Sequence, residues 1–401
     1  MLGRSFLQHS RRRKNQIGRV VLVATVSTSA FLVFSPQQQP MSTAGGANGN
    51  SSNNNSRKNV TAEKRKISVH AVRGPRASME DRWYISDDLK FFAVYDGHGG
   101  HRVAEQAQKL LYDEFVKELE GTADKEKKTE QQPGEAETEA VTGKENSDFV
   151  TTVGGSTITD DPQNVQLALV RGFDTVSKKI LASTYLDLEG STAVVVYLCE
   201  DNIVAANLGD SRAIVCRGPR ALPLTTDHKP DSSSEKKRIE DLGGKVKWHG
   251  YLGPDKLPVP GMGAYRINGN LAVSRALGDR LERPFVSSEP DLTIMKRNKD
   301  EDRFVVLASD GLWDVMTSQD VVDFVRQILA GSMGNTPSSS GSQVRSKMST
   351  VVPFVSSSAK KTDAIRNEMD KRQESMAQFI AEEALRRGSA DNVTVLVVWL
   401  R

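Results

Sequence analysis

The chain has 401 residues, 37% of them hydrophobic, and a formal charge of +3. Residues 1–62 hold eight Lys/Arg and no Asp/Glu, so the remainder carries 46 basic against 51 acidic residues and is mildly acidic. That balance offers no basic stripe for nucleic acid, and two cysteines, Cys199 and Cys216, are too few for a structural zinc site and fit buried thiols in a reducing compartment better than a disulfide framework.

Residues 1–40 read as a targeting or membrane-anchor segment. Arg11-Arg12-Arg13-Lys14 precedes an apolar stretch from Ile17 to Phe34, interrupted by Thr25, Ser27, Thr28 and Ser29. A basic flank before an apolar segment is the layout of a signal anchor, and an acid-free, Arg- and Ser-containing leader is also that of an organelle transit peptide. Membrane association or organelle targeting through this segment is the expectation. Cytoplasmic or nuclear residence, with translation from Met41, is the alternative. Residues 35–63 are Gln, Pro, Ser, Asn and Gly with almost no apolar residue, and a disordered linker is expected over 41–65.

The folded part is expected over 66–401. Residues 66–72 alternate polar and apolar, as a strand does. A Gly74-Pro75 turn leads to Arg76-Ala77-Ser78-Met79-Glu80-Asp81. Phe91-Phe92-Ala93-Val94 reads as a buried strand that ends in Asp96-Gly97-His98-Gly99-Gly100. Val103, Ala107, Leu110, Leu111 and Phe115 recur at helical spacing and predict an amphipathic helix over 103–118. Residues 121–163 are charged and rich in Thr and Gly, a disordered insertion; a second amphipathic helix follows over 165–183. Apolar runs at 192–199, 203–207 and 213–216, joined by short turns, predict three neighbouring antiparallel strands. A short polar helix at 232–242 precedes residues 243–269, too rich in Gly and Pro for regular structure. Residues 303–308 form a strand ending in Ser309-Asp310-Gly311, which repeats the strand-Asp-Gly device of Asp96-Gly97. Thr317 with Asp320 signals a capped helix running to Leu329. Residues 331–360 are Ser-rich and form a second expected disordered insertion; 366–387 reads as one long helix and 393–400 as the last strand. Short connections between strands, with helices in pairs between strand groups, predict an α+β fold: a four-layer α-β-β-α sandwich of two antiparallel sheets.

Six acidic residues, Glu80, Asp96, Asp210, Asp310, Asp314 and Asp391, sit at strand ends or beside glycine turns. Each alone is an ordinary turn residue. Together, without His or Cys, they form the oxygen donor set that selects Mg²⁺ or Mn²⁺. Converging carboxylates repel unless a cation neutralises them, and a metal pair is the machinery of phosphoester hydrolysis.

The motifs Arg76-Ala77-Ser78-Met79-Glu80-Asp81, Tyr95-Asp96-Gly97-His98-Gly99-Gly100, Gly190-Ser191-Thr192-Ala193, Gly209-Asp210-Ser211-Arg212-Ala213, Leu271 through Asp279, Asp310-Gly311-Leu312-Trp313-Asp314 and Asp391-Asn392 occur in this order. The set resembles the metal-dependent Ser/Thr protein phosphatases of the PPM, or type-2C, family, from about residue 66 to 401. The resemblance implies a protein phosphatase that hydrolyses phosphoserine and phosphothreonine with a water activated by two Mg²⁺ or Mn²⁺ ions. It implies that Asp96 bridges both ions and that the Gly97 carbonyl binds one. Glu80, Asp310 and Asp391 would hold the other, and Asp210 and Asp314 a third, weaker one. Arg76 would grip the substrate phosphate, since a guanidinium meets phosphate bidentately. His98 would protonate the leaving oxygen, Asn392 would orient Asp391, and Asp81 would support the ligands. The implied partners are phosphoprotein substrates in signal transduction, met by a monomer. Residues 243–269 occupy the place of the family's flap, and Trp248 resembles a flap tryptophan of some plant members. A pseudophosphatase would lack metal carboxylates, and none is missing; an anchored scaffold is allowed but not favoured by the N-terminal segment. The sequon Asn392-Val393-Thr394 falls at the expected metal site, which disfavours a secretory lumen.

Overall fold

The computed structural model describes residues 66–129, 151–153, 156–158, 160–331 and 358–401. The targeting segment, the linker, and most of both expected insertions lie outside these residues.

Two five-stranded antiparallel sheets form the centre. One runs in the order Ile67–Val72, Val393–Trp399, Asp302–Ala308, Arg212–Arg217, Arg220–Pro223. The other runs Asp291–Lys296, Asn202–Leu208, Ala193–Leu198, Phe91–Tyr95, Arg82–Ile85. Successive side chains of a strand point to opposite faces, and here both faces are covered. Phe92 and Val94 meet Val194, Val196, Val215, Val305, Leu307 and Leu396 between the sheets. Phe91, Ala93 and Tyr95, one residue out of phase, pack against Val103, Leu111, Phe115, Leu169 and Phe173 of helices Arg102–Thr129 and Pro162–Leu181. On the opposite outer face, Phe304, Val306, Val395 and Val397 pack against Val321 and Val325 of helix Ser318–Leu329 and Ile380 and Ala384 of helix Met376–Arg386. Three apolar layers between four structural layers make the expected α-β-β-α sandwich. They also explain why the central strands read as unbroken apolar runs.

Several expectations are corrected. The strand Arg212–Arg217 does not neighbour Asn202–Leu208; the chain crosses to the other sheet between them. Gly209 makes the crossing at φ +111°, where a side chain would strike Thr192. The stretch 243–269 is regular: Val246–Leu252 and Pro258–Ile267 pair as a two-stranded hairpin. Its glycines oppose one another at Gly250 and Gly263, allowing close approach of the backbones. The first insertion begins later than expected, because the helix continues to Thr129, and it holds a small hairpin of Thr151–Val153 with Ser156–Ile158. The stretch expected as one helix over 366–387 is two, Ser358–Glu374 and Met376–Arg386, the first starting inside the second expected insertion. Ser68 Oγ donates to the Glu374 carbonyl and accepts from the Ala377 N–H, satisfying the backbone at the break. The edge strands Arg82–Ile85 and Asp291–Lys296 are additions, being only half-buried and lacking an apolar run. Cys199 and Cys216 are buried free thiols.

Candidate metal and phosphate centre

Strand register brings the acidic residues to one rim. Arg82 pairs with Tyr95, Ala193 with Leu208, Arg212 with Ala308, and Ala308 with Val395. The residues just beyond these pairs are Asp81, Asp96, Asp210, Ser309-Asp310 and Asp391-Asn392. An antiparallel sheet puts the start of one strand beside the end of the next, so all of them leave the sandwich at the same end. Asp310 opens the single helical turn Asp310–Trp313, and Asp314 caps it.

The electrostatics show the convergence. Burial raises the Asp96 carboxyl well above the ordinary range, and the charges of Asp81, Asp310, Asp210 and Asp391 raise it further. Burial likewise raises Asp310 well above it, with Asp210, Asp314 and Asp391 adding to the shift against the counter-effect of Lys229. Asp314 is raised by burial and by Asp210 and Asp391. Asp81 is pushed up to about 6, mostly by burial, although Ser309 Oγ donates to its Oδ2 at 2.8 Å. At this rim Arg76 pairs with Asp391 and Lys229 pairs with Asp210.

Among the described residues, no three His, Cys, Asp or Glu side chains are already drawn together as ligands of one ion. Asp391 and Asp210 are turned instead to Arg76 and Lys229. The donor set nevertheless fits hard divalent cations: recessed carboxylates that repel one another, with oxygen donors throughout.

Glu80 stands on the Gly97 side. Its Oε2 accepts from the Gly100 N–H at 3.2 Å and its Oε1 from Ser78 Oγ at 2.6 Å. The structure thus places Glu80 beside Gly97 and in one cavity with Asp391. Arg76, Glu80, Gly97, Asp391 and Asn392 line one small cavity of about 190 Å³. Arg76 and Asp391 also line a larger cleft of about 760 Å³, lined as well by Trp248, Pro258 and Tyr265 of the hairpin.

Asn392 makes contacts beyond its expected place beside Asp391. Its amide Nδ2 donates to the carbonyls of Arg73 and Ser78 at 2.9 and 3.0 Å, and its Oδ1 accepts from the Glu80 N–H at 2.7 Å. The side chain thus fixes the loop that carries Arg76 and Glu80, while only its backbone N–H reaches Asp391.

His98 belongs to a short three-stranded sheet of Gly97–His98, Gly190–Ser191 and Leu277–Gly278. Its Nε2 donates to Asp279 Oδ2 at 2.8 Å. Burial works against the charged ring, but Asp279, with Asp210 and Glu80 beyond it, outweighs that and raises its pKa above the ordinary imidazole value. A Cβ on Gly190 would lie 2.3 Å from His98 Nε2 and 2.1 Å from Asp279 Oδ2, so only glycine leaves room for this pair. Asp279 and Lys229 are the site residues that sequence reasoning missed. Asp279 stood inside a quoted motif, but nothing in the sequence shows that it reaches back 181 residues to His98.

The description "Protein phosphatase 2C" matches residues 65–340. The chain is 33% identical over 343 residues to Protein phosphatase 2C 16 of Arabidopsis thaliana, covering 84% of this chain and 58% of that protein. It is 34% identical over 356 residues to Probable protein phosphatase 2C 49 of Oryza sativa subsp. japonica, covering 84% and 77%. The chain thus spans less than two thirds of the length of some of these relatives. In fold it is similar to the serine-threonine phosphatase 2C of Toxoplasma gondii, with a TM-score of 0.53, 21% identity and coverage of 84% and 94%. It is also similar to a sex determining protein of C. elegans, with a TM-score of 0.55, 24% identity and coverage of 84% and 65%. Family profile and relatives agree with the rim of carboxylates: this chain belongs to the protein phosphatase 2C family.

Proposed function

We propose that this protein is a metal-dependent protein serine/threonine phosphatase. The observation that carries the reading is the recessed group of Asp96, Asp310, Asp210, Asp314 and Asp391, whose mutual repulsion calls for divalent cations. Asp96, Glu80, the Gly97 carbonyl, Asp310 and Asp391 would together hold two ions. Asp210 and Asp314 would serve a third. When bound, Mg²⁺ or Mn²⁺ supplies charge neutralisation and an activated water for attack on phosphorus. Arg76 turns from Asp391 to the substrate phosphate and orients it bidentately. His98 holds a proton on Nδ1, with Nε2 anchored by Asp279, and gives it to the departing serine or threonine oxygen. Asp81 and Asn392 hold the strand ends and the Arg76 loop in place.

Full-length protein should hydrolyse p-nitrophenyl phosphate and a phosphothreonine peptide with Mg²⁺ or Mn²⁺. Folded protein inactive with both metals would refute the reading. We further propose that residues 1–40 anchor or target the enzyme and that it acts as a monomer on phosphoproteins of a signalling pathway. Among the described residues no helix is long and apolar enough to cross a membrane. A fluorescent fusion of residues 1–62, with and without 17–34, tests the targeting.

A further inference from the structure

The turns that lead into and out of the short sheet carrying His98 hold three exposed apolar side chains: Leu188, Leu281 and Tyr185, at 75%, 64% and 62% exposure. They come from two segments that the sheet ties together. Gly190 pairs with Gly278, and the Asp279 N–H donates to the Glu189 carbonyl at 2.9 Å. Arg280 on the Leu281 turn reaches Asp187 beside Leu188 at 3.4 Å. The Leu188 carbonyl abuts Gly99, next to His98. The three residues therefore lie on two segments that are fixed beside the His98–Asp279 pair. The flap hairpin borders the Arg76 side instead.

These residues are flanked by cations that are already matched. Arg102 pairs with Glu189 and lies over the Tyr185 ring at 5.5 Å, and Arg280 pairs with Asp187. With those charges compensated, the three apolar side chains suit an apolar partner rather than an acidic one. Large apolar side chains left in water beside a polar reaction centre are the usual mark of a contact surface. If His98 serves the leaving oxygen, the rest of the substrate polypeptide departs over this side of the site, across Leu188 and Leu281.

We infer that Tyr185, Leu188 and Leu281 form a docking ridge for apolar residues flanking the phosphorylated serine or threonine of a protein substrate. This inference rests on the phosphatase reading and on His98 as its proton donor. Burying one leucine side chain is worth about tenfold or more in affinity.

The test uses full-length protein with Mn²⁺ and a set of phosphothreonine peptides. Each carries Leu in turn at one of the three positions on either side of the phosphothreonine, in an otherwise Ser/Gly background. At least one position should raise kcat/KM about tenfold over the all-Ser/Gly peptide. In Leu188→Ser and in Leu281→Ser that ratio should fall towards one; being a ratio, it cancels any general loss of activity. No position preferring Leu, or a preference intact in both variants, would overturn the inference. So would a dimer by sedimentation that both substitutions dissolve, since the ridge would then meet a second copy of the chain. Wild-type hydrolysis of p-nitrophenyl phosphate separates the two readings, because its loss counts against the phosphatase itself.

Discussion

Asp279 sets what His98 can do. The carboxylate holds Nε2 and raises the ring's pKa, so the charged, proton-giving form persists to higher pH than an ordinary imidazole allows. Asp279→Asn should lower that pKa. The alkaline limb of the pH profile for a phosphothreonine peptide should then move to lower pH, and turnover at pH 8 should fall about tenfold or more. p-Nitrophenyl phosphate, whose leaving group scarcely needs a proton, should be affected less; equal effects on both would argue against a proton-donor role. His228 behaves in the opposite sense. Burial lowers its pKa, and Nδ1 accepts from the Gly209 N–H at 3.1 Å, which requires that nitrogen unprotonated. The folded-state value lies below the unfolded one. Its stabilisation is therefore present above about pH 6.5 and is lost as pH falls through the folded value, with a slope of up to about 1.4 kcal/mol per pH unit. Denaturant titrations from pH 7.5 to 5 should show this slope in the wild type. His228→Asn, which keeps an acceptor for Gly209, should flatten it; an unchanged slope would contradict the argument.

Elements differ in how legible they are, for physical reasons. The strand Phe91–Tyr95 is covered on both faces, so its burial is written as an apolar run. Helix Ser318–Leu329 shows its start because Thr317 and Asp320 cap each other's backbone reciprocally. Thr317→Ala should cost about 1 kcal/mol in denaturant unfolding while leaving turnover unchanged. The flap hairpin escapes sequence reading because glycine and proline, which weaken strands elsewhere, here let Gly250 and Gly263 come together in a pair exposed to solvent. The break at Ser375 escapes because its cause is distant: Ser68, in the first strand, ties up both backbone groups.

For the whole molecule, antiparallel register is what turns separate Asp-Gly turns into one rim. The acids were readable as a set by their repeated placement, and the resemblance joined them. Which partner each acid takes was not readable, because Arg76–Asp391 and His98–Asp279 join residues 315 and 181 apart, and Lys229 meets Asp210 only because the chain folds back over 19 residues. Nor did the sequence reveal that Asn392 fixes the Arg76 loop. The central claim is that the rim binds divalent metal through Asp96, and calorimetric titration of Mn²⁺ tests it most directly, run on wild type and Asp96→Asn with phosphothreonine-peptide turnover measured alongside. Wild type should bind at least two ions and turn over peptide. Asp96→Asn should lose the tight sites and about a thousandfold in rate, while remaining folded and, without metal, at least as stable, because a buried repulsion is removed. Mn²⁺ binding and turnover undiminished in Asp96→Asn would contradict the account.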